Sequence, residues 1–177
     1  MQWTIDQTHS GIEFGVKHLG ISTVRGRFRE FSGAVDLDED GVLRGVEATI
    51  AARSIDTGVG PRDDHLRSAD FFDVERFPTI TFQSTRIEPL AEARYRLSGD
   101  LTMHGQTQPV TFDVAVAEPV RDPWGNQRLA ASVAGKLNRK AWGLTWNQVL
   151  ELGALMVGEE VTFAFDVEAV APQPAAV

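Results

Sequence analysis

A two-residue alternation of apolar and polar side chains runs through most of this chain, and it limits the fold more than any other feature. Successive side chains of a strand point to opposite faces, so period two reads as strands with one buried face each. Ile12, Phe14, Val16 and His18 share a face, with Glu13 and Lys17 opposite. Val24, Gly26 and Phe28 continue it against Arg25, Arg27 and Arg29, and the phase then slips to Phe31, Gly33, Val35 and Leu37. One extra residue near Arg29-Glu30, a β-bulge in a long bent strand, accounts for the slip.

The theme returns in Val46, Ala48, Ile50 and Ala52, then in Ile80 and Phe82, then in Tyr95, Leu97, Gly99, Leu101 and Met103. Val110, Phe112, Val114 and Val116 follow, then Leu129, Ala131, Val133, Gly135 and Leu137, and finally Val161, Phe163, Phe165 and Val167. This gives about eight strands with one apolar face each, the pattern of an antiparallel barrel or sandwich. The expected fold class is all-β.

Two segments break the alternation. In Arg62–Phe72, Leu66, Ala69 and Phe72 fall at helical spacing, and Asp63 and Asp64 stand where acidic residues favour a helix start. One short helix is predicted near residues 62–72, lying across an opening of the sheet. Ala141 through Gly158 is apolar but aperiodic and reads as a long connection containing a turn or short helix. Residues 1–170 form one expected domain, and the Pro- and Ala-rich tail, 171–177, is expected to be disordered.

Composition narrows the function. There is no cysteine, which excludes disulfides, Cys-ligated zinc and Cys nucleophiles. Net charge is -8 with no basic stripe, which argues against nucleic acid and against electrostatic docking on an anionic lipid surface. No apolar run approaches a membrane span, and Met1–Asp6 shows neither a basic region nor an apolar one. A cytoplasmic protein without stable membrane insertion is expected.

An eight-stranded barrel has an interior that is just filled or just wide enough for one small ligand. Gly26, Gly33, Gly99, Gly135, Ala48, Ala52 and Ala131 are small residues on the inward face. In a core of native density they imply that something else fills the space. The alternative is that the glycines relieve bending in coiled strands. Inward polar groups are few, so a ligand would be mostly hydrocarbon.

Few residues suggest chemistry. His18 falls on the inward face, where its imidazole meets either a ligand head group or a backbone partner. His65 stands beside Arg62, Asp63 and Asp64, which read as local ion pairs and a helix cap. Combining His65 with His9, His18 or His104 into a metal site has no support in the spacing, and no HExxH is present. Ser10 and His9 are neighbours on a strand and point apart, and no G-x-S-x-G elbow or phosphate-cradling glycine loop occurs. Asn138-Arg139 reads as a turn, with Arg139 a candidate anchor for an anionic head group. Phe71, Phe72, Trp142 and Trp146 either guard a pocket mouth or pack helix and loop on the barrel.

These segments together resemble the YceI-like family. The match is carried by Trp3-Thr4-Ile5-Asp6 with His9-Ser10, Phe14-Gly15-Val16-Lys17-His18, and Val24-Arg25-Gly26-Arg27-Phe28 with Phe31-Ser32-Gly33. It continues in Ser54-Ile55-Asp56-Thr57-Gly58, Arg62-Asp63-Asp64-His65-Leu66-Arg67-Ser68, Asp70-Phe71-Phe72-Asp73, Phe77-Pro78, Thr81-Phe82 and Gly99 to Gly105. Asn138-Arg139 to Trp142-Gly143-Leu144 completes it, nearly spanning the chain. The resemblance implies a lipocalin-like barrel that binds polyisoprenoids or related long amphiphiles, in some members as a dimer, with no established reaction.

The combined expectation is a non-catalytic carrier or store for a polyisoprenoid or isoprenoid quinone, with no other cofactor and no metal. Phe14, Val16, Phe28, Phe82, Leu101, Phe112, Phe163 and Phe165 are the expected wall. Leu66, Phe71 and Phe72 are the expected lid, with His18 and Trp146 completing the ligand contacts. Two rivals stay open: an enzyme using His18 or His65 on a lipid, and a structural or partner-binding barrel without ligand.

Overall fold

The computed structural model describes residues 1–172. Among them the strand segments are β1 (Gln2–Ile5), β2 (Gly11–His18), β3 (Ser22–Phe28), β4 (Phe31–Leu37), β5 (Leu43–Ala51) and β6 (Ile55–Asp56). The remainder are β7 (Thr79–Ala91), β8 (Arg94–Met103), β9 (Gln106–Val116), β10 (Val120–Arg121), β11 (Gln127–Asn138) and β12 (Val157–Val170). One helix, α1 (Gly60–Arg67), follows β6.

The segments lie on eight antiparallel lines. β1 and β2 both pair with β12, so they form one interrupted line. β4 and β3 pair with β1 and β2 respectively, and β5 and β6 pair with β4 and β3. Then β7, β8, β9 and β11 follow as neighbours, and β11 pairs with β12 from Arg128 to Asn138, closing the barrel. β10 is a short flank on β11. Each line sits beside the next in sequence, the up-and-down order of antiparallel barrels.

The phase slip has a different form from the expected single-residue bulge. Arg29 and Glu30 lie outside both β3 and β4, and the two residues carry the chain round a corner. Phe28 and Phe31 on either side are both buried, so the break keeps the apolar face inside on both segments. Opposite it, β1 and β2 are separated by a 3₁₀ turn at Gln7–His9.

The helix is shorter than the predicted 62–72. It starts earlier, with Pro61 in its first turn, where a missing N–H costs nothing. It ends when Ser68 turns extended, and its N–H bonds to the carbonyl of His65. The helical spacing of Ala69 and Phe72 misled, because turns rather than helix carry those residues. Asp63 is buried and accepts from the Thr57 N–H (2.9 Å) and hydroxyl (2.6 Å), so it ties the approach to the helix rather than pairing with a cation. Asp64 does pair, with Arg67 at 3.0 Å.

One seam in the wall is incomplete. β9 and β11 pair only through Val114–Val116 against Ala131–Val133. Below that the segment after β11 fills the gap. Trp142, 3 % exposed, donates its indole N–H to the Leu101 carbonyl at 2.9 Å. Gln108 donates to the Ala141 carbonyl at 3.0 Å, and His104 Nδ1 reaches the Trp142 carbonyl at 3.0 Å. Trp142 is therefore a wedge in the wall, not a guard at a mouth. His104 sits in the β8–β9 turn at φ 52°, packed on Phe77.

Buried apolar side chains form two clusters, one towards each end of the barrel. Trp3, Val35, Leu37, Leu43, Leu129 and Ala169, none more than 5 % exposed, form a floor. At the helix end, Ile12, Phe28, Phe31, Ile50, Ile55 and Trp142 belong to the larger cluster.

Candidate functional site

Between floor and helix end runs an apolar cavity of about 470 Å³. That is within the range of small-molecule sites, about 300–1,000 Å³. It is elongated: Leu129 and Leu137 on β11 both border it, separated by about 26 Å of strand at about 3.3 Å per residue. Phe14, Phe82, Leu101, Phe112 and Phe165 are only partly buried in spite of their inward direction, because they face this space.

All thirteen residues expected to meet a ligand border the cavity. Phe14, Val16, Phe28, Phe82, Leu101, Phe112, Phe163 and Phe165 line its length. Leu66, Phe71, Phe72, His18 and Trp146 lie at the helix end. The aromatic rings run as a chain, with centroids 6.3 Å apart from Phe82 to Phe112, 4.9 Å to Phe163 and 5.0 Å to Phe165. A second set joins Phe14 to Phe28 at 5.7 Å and Phe28 to Phe72 at 5.9 Å.

The inward glycines do not make this space. A Cβ on Gly26 would lie 2.4 Å from the Phe14 ring, one on Gly99 2.5 Å from Phe82, and one on Gly135 2.7 Å from Phe163. Each glycine is roofed by a ring from the neighbouring strand, the arrangement by which aromatics compensate glycine in sheets. Gly33 is closed off by the Glu47 carbonyl and Ile5, and Ala52 is 1 % exposed in the core. Ala48 and Ala131 do border the cavity.

Polar groups gather at the helix end. His18, Thr57, Arg62, His65 and Arg139 all border the cavity there. Arg62 is committed to Thr57, through Nε to the hydroxyl (2.7 Å) and Nη2 to the carbonyl (3.0 Å). His65 Nε2 meets Asp70 at 2.8 Å, and its ring packs edge-on against Phe71 and Trp146 at 5.1 and 4.7 Å. Among the described residues, no hydroxyl hydrogen-bonds to the other nitrogen of His65. His18 is half-buried, borders the cavity, and has no side-chain hydrogen bond among the described residues. The backbone-satisfied reading of this histidine therefore does not hold, and its ring nitrogens remain available.

Arg139 is 6 % exposed and spends its guanidinium on backbone. It donates to the carbonyls of Leu144 (2.6 Å), Gly158 (2.8 Å), Trp146 (2.9 Å) and Val157 (3.5 Å). Burial lowers its pKa from the ordinary arginine value, partly countered by Glu159. Its role is to fold the 144–158 segment over the helix end, which leaves little of it for an anionic head group. Asn138 caps the turn by accepting from the Lys140 N–H at 3.0 Å.

The histidines stay apart. Among the described residues, one group of three potential metal ligands occurs: Asp6, His9 and Glu168, with ligand atoms within 4.8 Å. A cation already sits there. Arg128 Nη1 donates to Asp6 at 2.9 Å and to Glu168, while its Nε donates to Asp122 at 2.8 Å. The Thr8 hydroxyl, then His9 and Arg128, hold the Asp6 carboxyl far below the usual carboxylate range, and Arg128 does the same first for Asp122. Ser10 bonds to the Glu168 backbone and His9 to Asp6, so the two form no dyad.

The Arg128 cluster and the Trp3 floor escaped sequence reasoning. Their members come from distant segments, and no spacing signals that they meet. Met156 and Val157 also border the cavity from the aperiodic connection, where period gives no face.

This closed eight-stranded barrel around an apolar cavity is lipocalin-like in architecture. Residues 3–169 match the YceI-like domain, and the chain belongs to that family. It is 38% identical over 169 residues to a UPF0312 protein of Staphylococcus aureus (strain bovine RF122 / ET3-1), covering 94% of this chain and 95% of that one. BcnA of Burkholderia cenocepacia has a similar structure, with TM-score 0.81 and 25% identity over 93% of this chain and 99% of BcnA. The YCEI protein of Campylobacter jejuni gives TM-score 0.76 at 26% identity, over 89% of this chain and 90% of that one. A polyisoprenoid binding domain from Saccharophagus degradans gives TM-score 0.72 at 16% identity, over 96% and 98%, and shares the fold.

Proposed function

We propose that the chain binds one long apolar amphiphile, a polyisoprenoid or an isoprenoid quinone, along the barrel axis and carries or stores it without chemical change. The observation that carries this reading is the polarity of the cavity. Its length is walled mainly by aromatic and aliphatic side chains, with only scattered hydroxyls such as Ser32, Thr81 and Ser132, and the histidines and arginines that border it, His18, Arg62, His65 and Arg139, lie at the helix end. A hydrocarbon chain fits the first part and a polar head the second.

The hydrocarbon runs from the helix end, beneath Phe71 and Trp146, towards the Leu129 floor, with the head beside His18. Each methylene taken from water contributes about 0.8 kcal/mol, so length dominates affinity. A hydrogen bond from His18 to a carbonyl or hydroxyl adds only about 1 kcal/mol. The fold shared with a polyisoprenoid binding domain supports the ligand class. Native mass spectrometry of protein purified from its own host, followed by organic extraction, tests it. An isoprenoid-bearing lipid in near-stoichiometric amount is the expected result, and an empty protein whose barrel is filled by its own side chains sinks the reading.

A further inference from the structure

The helix end carries apolar side chains on its outside as well as its inside. Ile21 is 82 % exposed and Val149 72 %, with Val59, Leu155 and Leu19 also exposed. Ile21 and Leu19 form the tip of the β2–β3 hairpin, and Val149 and Leu155 face each other across an isolated bridge. The two tips are tied together, since Leu19 N–H donates to the Met156 carbonyl at 2.8 Å and His18 pairs with Val157. Met156, Val157 and His18 border the cavity, so this apolar rim is continuous with its lining.

Charge on the neighbouring strands points to the partner. Lys17 and Arg25 share one face of β2 and β3, opposite Thr23 and Gly15, with the Val16–Val24 pair between them. Among the described residues neither has a carboxylate within ion-pair distance, although the chain carries net charge -8 and most of its arginines are paired. Apart from Glu151, exposed between Val149 and Leu155, the rim is aliphatic with cations behind it, which matches a bilayer, whose acyl region receives the first and whose phosphates meet the second.

We infer that the helix end docks reversibly on a lipid bilayer, with Ile21 and Val149 inserted, and that cargo enters and leaves through this end. The inference rests on the carrier reading for its purpose but not for its test. Docking is driven by the apolar tips, so it operates on zwitterionic surfaces where the overall negative charge is not repelled.

Co-sedimentation with phosphatidylcholine vesicles tests the inference. The wild-type protein binds. The double variant Ile21→Ser/Val149→Ser binds about tenfold more weakly, with a melting temperature within about 2 °C of wild type because both side chains already face water. Trp124→Ser, on the equally exposed β10–β11 turn at the floor end, leaves binding unchanged. Wild-type protein that stays in the supernatant, or a double variant that binds as wild type does, overturns the inference. So does a wild-type dimer that the double variant converts to monomer, since a second copy then covers the rim. An empty protein that sediments with vesicles keeps docking while the carrier reading fails, and a lipid-filled protein that never sediments does the reverse.

Discussion

The two ends of the barrel each contain an arginine that anchors its surroundings, half-buried Arg128 and buried Arg139, and the two are used in opposite ways. At the floor, Arg128 gathers three carboxylates, Asp6, Asp122 and Glu168, from three separate parts of the chain. At the helix end, the hydrogen bonds of Arg139 among the described residues all go to backbone carbonyls, and it holds a loop instead. An ion cluster fastens strand ends directly to one another. A carbonyl-bound guanidinium organises a segment that has no regular structure, and so shapes an opening. The contrast leaves one end fastened strand to strand and the other closed by an irregular segment.

The largest effect that can break this contrast is at Arg139. In Arg139→Met, several carbonyls lose their donor in a buried place, at about 1–3 kcal/mol each before relaxation. Urea unfolding is expected to show a loss of about 4 kcal/mol. A loss under about 1 kcal/mol means the loop holds itself and the helix end is not organised by this side chain.

Gly99→Val acts between the ends. Its new side chain must displace both the Gln83 backbone carbonyl and the Phe82 ring, each of which a Cβ would approach at 2.5 Å. Overpacking of this kind costs about 1–3 kcal/mol. The displaced ring moves into the cavity, so lipid retained through purification is expected to fall. Retention equal to wild type would show that the cavity near Phe82 holds no cargo.

The smallest effect sharpens the floor side. Asp6 and Asp122 have folded pKa values far below their unfolded value of about 3.9. Their stabilisation is fully present above that value and is lost as pH falls towards the folded values. The melting temperature is therefore expected to stay level from pH 8 to about 5 and to drop below about pH 4. Arg128→Met should flatten that drop, and an unchanged acid profile in the variant would detach the cluster from floor stability.

Much of this was legible in the sequence, for a physical reason. Alternation records which side of each strand meets the interior, so Phe14, Val16, Phe82, Phe112, Phe163 and Phe165 could be placed at the cavity before any topology was known. Closure was not legible in the same way, since a sandwich alternates equally well, and it came from the family resemblance. The glycines misled because alternation gives a face but not what the next strand lays over it. Trp142 and Arg139 sit in an aperiodic stretch, where sequence carries no directional signal. Arg128 meets Asp6 and Glu168 only because β1, β11 and β12 are neighbours.

The central claim is that length of hydrocarbon, not the head group, sets what the barrel holds. Calorimetric titration with a series of isoprenoid alcohols of increasing chain length, each below its micellar concentration, tests it directly. Affinity should rise with each added unit by about 0.8 kcal/mol per methylene at most until the floor at Leu129 is reached. The His18→Ala variant should show the same slope with affinity at most about tenfold lower throughout. An affinity that does not change with chain length, or that is abolished by His18→Ala, would contradict the account.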